Sequence, residues 1–428
     1  MARADAAGHI EAGTGGWVER LKAHRHARLI GVLLGHMTVD TFNGMNSVLM
    51  AFLSVHILPM TNTQIGAAIS AYSLTAAISQ PFFGLWADRS GGRLLGAGGV
   101  AWTVSFLMLA VIFASTGQYW LMLIPFVLAA LGSGAFHPVG TMHAGGLGKV
   151  SSASRLSWFF LAGQTGLAIG PTLTGVLLDS AATHNGAFTT GIPAFSHVLV
   201  EHGTVTPLLG IALFAIPGVL LMALTLPSRA AYHAAHKVDS QTSSNAALPV
   251  MALALLAFTV TLRSLSNPGA VAFIPRLFQE KGWSAAEYGL VTSAYWIASG
   301  VTGIIFGWLA DRLSSRVVTG WSLIAAAPAI FLLPLTDGAT AFTMALLAGG
   351  LTGGSHSLLV AMSQRLMPKS RGFASGATLG FIFGTGAIGT LVIGALSDQM
   401  GLTMAFQVVA VVTVASGVMS FALRDRKG

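Results

Sequence analysis

The chain has 428 residues, of which 54% are hydrophobic and 8% are charged, with a formal net charge of +8. Because soluble globular domains carry about 25% charged residues, this composition excludes an ordinary soluble protein and predicts a helical membrane protein. The sequence contains no cysteine, which excludes disulfides, thiolate catalysis and cysteine metal sites.

Apolar stretches long enough to cross the hydrocarbon core, about 20 residues each, recur twelve times. The first six lie near residues 29–57, 64–87, 94–115, 118–142, 155–178 and 207–227. The second six lie near residues 249–275, 284–310, 317–336, 340–364, 372–396 and 402–423. We therefore predict an all-α polytopic membrane protein with twelve transmembrane helices in two pseudo-symmetric six-helix bundles.

The polar stretches divide the chain into four predicted parts. They are a cytoplasmic N-terminal tail (1–27), an N-terminal bundle (28–227), a cytoplasmic linker (228–248) and a C-terminal bundle with a short basic tail (249–428). The stretch 179–206 predicts a long outer loop, which is either a simple connection or a lid.

Lys and Arg residues cluster in alternate loops, as is typical of the cytoplasmic face of a membrane protein. With the N-terminus inside, the cytoplasmic loops contain Arg89, Arg93, Lys149, Arg229, Lys237, Arg312, Arg316, Arg365, Lys369 and Arg371. The opposite face keeps Arg276 and Lys281. We expect both termini in the cytoplasm, a multi-pass location in the cell (inner) membrane and contacts with membrane lipids. The positive charge then reflects membrane orientation, and no nucleic-acid partner is expected.

A short stretch occurs twice, as GLWADRSGGR at 84–93 and as GWLADRLSSR at 307–316. Residues upstream, such as Tyr72 and Tyr295, recur at the same offset of 223 residues. A repeat at about half the chain length indicates two copies of one structural unit.

The doubled G-x-x-x-D-R-x-x-x-R motif, with two six-helix halves and a central linker, resembles the major facilitator superfamily. Within it, the chain is similar to the fosmidomycin-resistance branch of efflux proteins. This second resemblance depends on His36-x-x-x-Asp40, on Phe136-His137-Pro138, on the glycine-rich stretch 163–171 and on QRLMP at 364–368. Two features depart from drug-proton antiporters of the superfamily: the fourth span has no Arg, and Gly170-Pro171 is followed by one glycine fewer.

Asp40 is the one acid deep inside a predicted span, and Arg263 is the one deep base; they are also 223 residues apart. An ionisable group at this depth costs roughly 2.5–3.5 kcal/mol on insertion scales, so it needs a partner, water or a function. The resemblance implies that Asp40 and Arg263 face each other across the transport path. We expect Asp40 to accept the coupling proton and Arg263 to hold a substrate anion or to compete with the proton for Asp40. The alternative is a fixed structural ion pair or a hydrogen-bonded interior carboxylate.

Several polar side chains accompany this pair. His36 lies one helical turn before Asp40 and either shares its proton or makes a structural hydrogen bond. His137 and His356 occupy matching places in the fourth and tenth spans, where they line either the cavity or a packed interface. Other candidates for substrate hydrogen bonds, or for helix-joining contacts, are Asn43, Asn46, Gln164 and Asn267.

The doubled motif ends the second and eighth spans. The resemblance implies that Asp88 contacts the start of a helix in the opposite half when the cavity faces outward, and the alternative is a basic loop that only sets topology. The predicted latch comprises Gly84, Asp88, Arg89, Arg93, Gly307, Asp311, Arg312 and Arg316.

The fifth span contains small residues at regular spacing and a proline. The residues are Gly163, Gly166, Gly170, Pro171 and Gly175, and the stretch 387–398 echoes 168–179 at an offset of 219. This pattern indicates close helix packing, with a hinge as an additional possibility.

Together these features predict a transporter with alternating access, a site between the halves, no cofactor, no metal and a monomeric state. We expect proton-coupled efflux of a small anionic or amphiphilic compound; the resemblance implies phosphonates such as fosmidomycin. Proton-coupled uptake of a metabolite such as an organic anion is the alternative. A membrane-embedded hydrolase using His36 and Asp40 is a remote alternative, because no Ser or Cys nucleophile accompanies the pair.

Overall fold

The structure, a computed structural model, describes residues 25–145, 152–183, 206–230, 250–366 and 371–423. These residues form helices joined by short turns, and no strand occurs among them. The predicted N-terminal tail, the outer loop beyond 183 and most of the linker lie outside the described residues, so the four domain boundaries stay a prediction.

The N-terminal half contains six helices. They are α1 (Arg25–His56), α2 (Asn62–Ser90), α3 (Arg93–Ala114), α4 (Tyr119–Gly145), α5 (Ser152–Thr183) and α6 (Ala215–Thr225), the last preceded by a 3₁₀ segment, Thr206–Phe214.

The C-terminal half repeats the pattern. Its helices are α7a (Val250–Ser264), α7b (Ile274–Glu280), α8 (Ala285–Arg312), α9 (Ser315–Leu332), α10a (Gly338–Gly353), α10b (Ser355–Leu366), α11 (371–400) and α12 (402–420). The chain turns from α11 into α12 at Gly401, whose positive φ of 81° is accessible to glycine at little cost.

The two copies of the repeat begin their helices in the same way. Thr61 caps α2 and forms a reciprocal pair of hydrogen bonds with Gln64, while Ser284 caps α8 with Glu287. Each pair satisfies two backbone N–H groups that a helix start leaves without partners. The duplicated sequence therefore sets the same helix start in both halves.

The seventh predicted span is interrupted in its middle. Between α7a and α7b the backbone passes through a π turn, Leu265–Gly269, and a 3₁₀ turn, Ala270–Phe273. Asn267 is extended there (φ −152°, ψ 115°), since the following Pro268 disfavours the helical conformation. The break places backbone carbonyl groups in the interior of the bundle.

Nine helical segments of the described chain are long and apolar enough to cross a membrane. The segment Gly380–Ser420 contains most of α11 and all of α12, while α1 and α2 fall outside this set. Their lengths of 32 and 29 residues nevertheless suffice to cross the bilayer. The predicted fold of twelve transmembrane helices in two bundles is confirmed.

The halves meet mainly where α2 contacts α11 and where α5 contacts α8, and α1 also contacts α7b. The backbones approach closely near the start of α2 and α8, where a Cβ on Gly66 would lie 2.9 Å from the Thr390 carbonyl oxygen. Further along α8, a Cβ on Gly303 or Gly307 would have no other atom within 4 Å. We call these regions the closed end and the open end of the molecule.

Candidate functional site

A cavity of about 950 Å³, including its open mouth, lies between the two halves. Its N-terminal wall is polar and comprises Asp40, Asn43, Asn46, Ser47, Tyr72, Ser73, Gln80, Ser133 and His137, with Gly44, Ile69, Ala76 and Leu167. Its C-terminal wall is largely apolar and comprises Pro268, Val271, Ala272, Trp296, Phe383, Gly386 and Thr390. Among the described residues that line it, Asp40 is the acid and His137 is the histidine.

His36, Asp40 and His137 form a cluster, which we call the triad, at the N-terminal wall. His36 Nε2 lies 3.2 Å from Asp40 Oδ2, and His137 Nε2 lies 3.5 Å from Asp40 Oδ1. The exposed fraction of the side chain falls from 20% for His137 to 10% for Asp40 and 5% for His36. The triad therefore leads from the cavity surface into the protein.

The second ring nitrogen of each histidine contacts a backbone carbonyl. His36 Nδ1 lies 2.7 Å from the Phe159 oxygen, and His137 Nδ1 lies 2.7 Å from the Ser133 oxygen. The His36 ring also stacks on the Phe159 ring at 3.8 Å. Both imidazoles are thus oriented so that Nε2 faces the carboxylate.

Asn43 and Tyr72 complete the surroundings of the carboxylate. Asn43 Nδ2 donates to Asp40 Oδ1 at 2.9 Å, and the Tyr72 hydroxyl donates to Asn43 Oδ1 at 2.6 Å. Because the hydroxyl holds the amide oxygen, the amide N–H₂ is directed at Asp40. This donor stabilises the ionised form of the carboxylate.

A glycine of α5 makes room for the triad. A Cβ on Gly163 would lie 2.6 Å from both Asp40 Oδ2 and His36 Nε2, closer than real Cβ contacts. Gly166 and Gly170 meet the backbone of α1 in the same way, at the carbonyl groups of Met37 and Thr41. The glycine pattern thus lets α5 pack directly on the helix that carries Asp40.

The triad also has the spacing of metal ligands. One ring nitrogen of each histidine and one carboxylate oxygen lie within 4.8 Å of one another. Among the described residues, this is the group of three His, Cys, Asp or Glu side chains close enough to share one metal ion. Two histidines and one carboxylate suit a divalent transition metal. The arrangement can therefore hold protons or one metal ion between its members.

Arg263 does not pair with Asp40 in this structure. It is 1% exposed, and it donates to Ser355 Oγ at 3.2 Å, to the Asn267 oxygen at 3.0 Å and to the Thr352 oxygen at 2.9 Å. The predicted pairing across the path is thus absent in this conformation. The physical reason is that a buried guanidinium needs several acceptors, and the break in α7 and the end of α10a supply them.

The four remaining residues predicted to contact substrate differ in whether they line the cavity. Asn46 lines the cavity, and its Oδ1 is buried without a hydrogen-bond partner. Gln164 also has a buried, unpartnered Oε1, but it packs on Gly300 and does not line the cavity. Asn267 is buried at the break in α7, and His356 contacts the cavity residue Phe383 at 6.4 Å between rings. Their roles in binding stay predictions.

The doubled motif lies towards the open end. In the second copy Asp311, Arg312 and Arg316 are exposed, and the Arg312 guanidinium stacks on Trp308 at 3.5 Å. In the first copy Arg89 is exposed, Arg93 is half-buried, and a Cβ on Gly84 would meet Pro138 at an ordinary 3.5 Å. The side chain of Asp88 lies outside the described residues, so the latch stays a prediction.

The remaining members of the glycine-rich stretch contact α8. A Cβ on Gly175 would meet the Ala285 backbone, and Pro171 lies against Gly289. These residues form part of the closed end, and the hinge role stays a prediction.

Sequence reasoning did not identify the aromatic wall formed by Trp296 and Phe383, because large apolar residues are ordinary in membrane spans. It also missed Tyr72 as a partner of Asn43, although its recurrence at Tyr295 was a signal. Tyr295 makes the corresponding contact in the other half, where its hydroxyl donates to the Ser266 oxygen at 3.4 Å, and it also lies 2.8 Å from the Thr352 hydroxyl.

The sequence matches the profile of the Major Facilitator Superfamily over residues 32–248 and 250–428. The chain belongs to the major facilitator superfamily. Two curated relatives cover nearly its full length. The fosmidomycin resistance protein of Escherichia coli (strain K12) is 23% identical over 95% of both chains, and the uncharacterised MFS-type transporter YfnC of Bacillus subtilis (strain 168) is 26% identical over 92% of both.

Solved structures of major facilitator transporters have the same fold. An inward-facing bacterial homologue of the human lysosomal transporter Spinster matches with a TM-score of 0.76 (14% identity, 94% of this chain and 97% of that one). The inward-open xylose transporter XylE of E. coli gives 0.71 (12% identity, 95% and 98%). FucP in its outward conformation gives 0.61 (17% identity, 93% and 98%).

These matches establish the general class of this major facilitator protein. It is a multi-pass membrane transporter for a small molecule and not an enzyme. The remote alternative of a membrane-embedded hydrolase is thereby wrong.

Proposed function

We propose that this transporter exports a small amphiphilic compound across the cell membrane in exchange for protons. The observation that carries the proposal is the triad: an acid and two histidines meet at the wall of the cavity between the halves. Ionisable groups at bilayer depth are expensive and mark substrate or proton pathways. A carboxylate that alternates between cavity water and the interior can take up a proton on one side and release it on the other.

The two walls of the cavity support an amphiphilic substrate. Asn46 Oδ1 is a buried acceptor without a partner and suits an N–H or O–H group of the ligand. Trp296 and Phe383 on the opposite wall suit its apolar part. No Lys or Arg occurs among the described residues that line the cavity, so an anionic group would meet His137 rather than Arg263.

The direction and orientation of transport are part of the same proposal. The basic loops favour cytoplasmic termini, which place the closed end outside and the open end towards the cytoplasm. In keeping with this, the TM-scores are higher for the two inward-facing structures than for the outward one. Export is further supported by the curated relative named for fosmidomycin resistance.

Proteoliposomes with a pH-sensitive dye in the lumen test the coupling. They are loaded with each compound of an amphiphile panel that includes fosmidomycin, clamped at zero membrane potential and diluted into substrate-free buffer. Efflux through an antiporter acidifies the lumen, because protons enter as the substrate leaves, and this sign holds for either orientation of the protein. Asp40→Asn should abolish the proton signal yet retain substrate counterflow, whereas His56→Gln, at an exposed position of α1, should behave like the wild type.

The alternative, proton-coupled uptake, gives the opposite sign in the same assay. In a symporter protons leave with the substrate, and the lumen becomes alkaline. Linkage explains the difference: antiport requires that substrate and protons disfavour each other's binding, and symport requires that they favour it. An alkaline lumen, or a wild-type proton signal from Asp40→Asn, would contradict the proposal.

A further inference from the structure

The two contacts to Asp40 have a consequence for how many protons the triad holds. Backbone carbonyl oxygens accept hydrogen bonds and never donate. The contacts of His36 Nδ1 with Phe159 and of His137 Nδ1 with Ser133, both 2.7 Å, therefore require a hydrogen on each Nδ1. In a neutral imidazole the other nitrogen, Nε2, then carries a lone pair and no hydrogen.

Both Nε2 atoms face an oxygen of the same carboxylate, at 3.2 Å and 3.5 Å. An imidazole lone pair directed at a carboxylate oxygen is repulsive. Where no metal ion lies between the three groups, each contact therefore needs its own proton, on the ring or on the carboxyl group. A carboxyl group binds one proton, so two contacts need two, with at least one on a histidine. Asn43, which donates to Asp40 Oδ1 at 2.9 Å, favours the ionised carboxylate and thus a proton on each ring.

We infer that His36, Asp40 and His137 bind two protons as one unit, and that His137 is the group through which these protons exchange with the cavity. The inference rests on the proposed proton coupling and adds its stoichiometry. With both protons bound the triad carries one positive charge, and with both released it carries one negative charge.

The exposure of the three side chains indicates the order in which the triad takes up protons. His137 is the most exposed member, whereas His36 is enclosed by the Phe159 ring and by Gly163. The titratable groups that face the triad are its own members on α1 and α4 and the Tyr72 hydroxyl of α2, which is bonded to Asn43. The described part of α5 contributes a carbonyl group and a glycine. Protons therefore pass from cavity water to His137, then to Asp40 and His36.

NMR on protein labelled with ¹⁵N in the histidine rings, reconstituted in nanodiscs without substrate, tests the inference directly. The ¹⁵N shifts distinguish the cationic ring from the two neutral tautomers, and His36→Gln and His137→Gln assign the two signals. We expect both rings to be cationic, with hydrogen on Nδ1 and on Nε2. In Asp40→Asn both rings should become neutral with hydrogen on Nδ1, while His56→Gln should leave both signals unchanged.

Several outcomes would overturn the inference. One cationic ring at every pH at which the protein is folded would mean one proton, even if the vesicle assay shows antiport. Two cationic rings that persist in Asp40→Asn would mean that the carboxylate does not bind the protons. Transport that stops with a chelator and resumes with a divalent metal would assign the triad to a metal ion. Two protons on the triad without proton movement in vesicles would instead contradict the proposed function alone.

Discussion

Asp179 and Asp398 occupy equivalent positions in the two halves, and each binds the start of a helix in the opposite half. Asp398, at the end of α11, accepts hydrogen bonds from the backbone N–H groups of Asn62 and Thr63 at 2.9 and 2.8 Å. Asp179, at the end of α5, accepts them from Ala285 and Ala286 at 2.7 and 2.9 Å. Two carboxylates thus hold the closed end together, each at the positive end of a helix dipole.

The first prediction concerns this symmetric pair of caps. A carboxylate at a helix N-terminus contributes about 0.3–1 kcal/mol, so Asp179→Asn or Asp398→Asn should shift the closed–open equilibrium about two- to fivefold towards opening. Because the chain lacks cysteine, spin labels can be attached at Gln118→Cys and Thr340→Cys. The distance between the labels, measured by double electron–electron resonance, reports the separation of the halves. We expect a larger long-distance population in each variant and more in the double variant.

Asp337→Asn is the matched control, because Asp337 caps α10a and accepts from Trp283 within its own half. It should leave the label distances unchanged. An unchanged distribution in the double variant Asp179→Asn/Asp398→Asn would show that the caps do not hold the closed end.

The second prediction concerns Arg276, which also crosses between the halves at the closed end. It donates to Asn62 Oδ1 at 3.1 Å and to Ser54 Oγ at 3.0 Å. Arg276→Gln should therefore increase the open population in the same experiment. Because Arg276 and Asp398 both bind Asn62, their effects should be less than additive in a double-mutant cycle. Lys281→Gln is the control, because the Lys281 ammonium group donates to the Thr336 oxygen within the same half. Strictly additive effects of the Arg276 and Asp398 substitutions would argue against a shared contact.

The third prediction concerns Gly163. In Gly163→Ala the new methyl group would lie 2.6 Å from Asp40 Oδ2 and His36 Nε2, so the triad or α5 must move. We expect substrate-coupled proton movement to fall at least tenfold in vesicles while the protein still folds, as monitored by gel filtration in detergent. Gly303→Ala, with no other atom within 4 Å of the added Cβ, should retain coupling. Full proton coupling in Gly163→Ala would mean that triad geometry does not matter.

The sequence predicted the helices, and the place of His36 and Asp40 on α1, better than it predicted contacts between helices. Twelve apolar stretches and a 223-residue repeat suffice for the architecture, because length and hydropathy are local properties. The echo of Asp179 at Asp398 was visible too. Its meaning was not, because spacing within a chain does not reveal that the end of α5 meets the start of α8.

Symmetry misled the sequence analysis about Arg263. Equivalent places in α1 and α7 suggested that Asp40 and Arg263 face each other. Each instead contacts the fourth helix of its own half: Asp40 meets His137 of α4, and Arg263 meets Thr352 of α10a. The acceptors that attract the guanidinium are backbone oxygens and a serine hydroxyl, which no sequence pattern distinguishes from ordinary helix residues.

The fourth prediction follows from that position of Arg263. Arg263→Ala removes three buried hydrogen bonds and leaves the Asn267 and Thr352 carbonyl groups without this donor. Thr352 keeps the Ser355 hydroxyl as a donor, so the Asn267 oxygen is the acceptor that loses its side-chain donor. An unsatisfied buried group costs about 1–3 kcal/mol, so the melting temperature of the purified protein in detergent should fall by several degrees. Arg229→Ala, at an exposed position after α6, should leave it unchanged. Since Arg263 does not line the cavity, anionic and neutral substrates should lose binding equally once the folded fraction is matched. A selective loss of anions at unchanged melting temperature would assign Arg263 to the substrate after all, and would indicate that it turns towards the cavity in another state of the cycle.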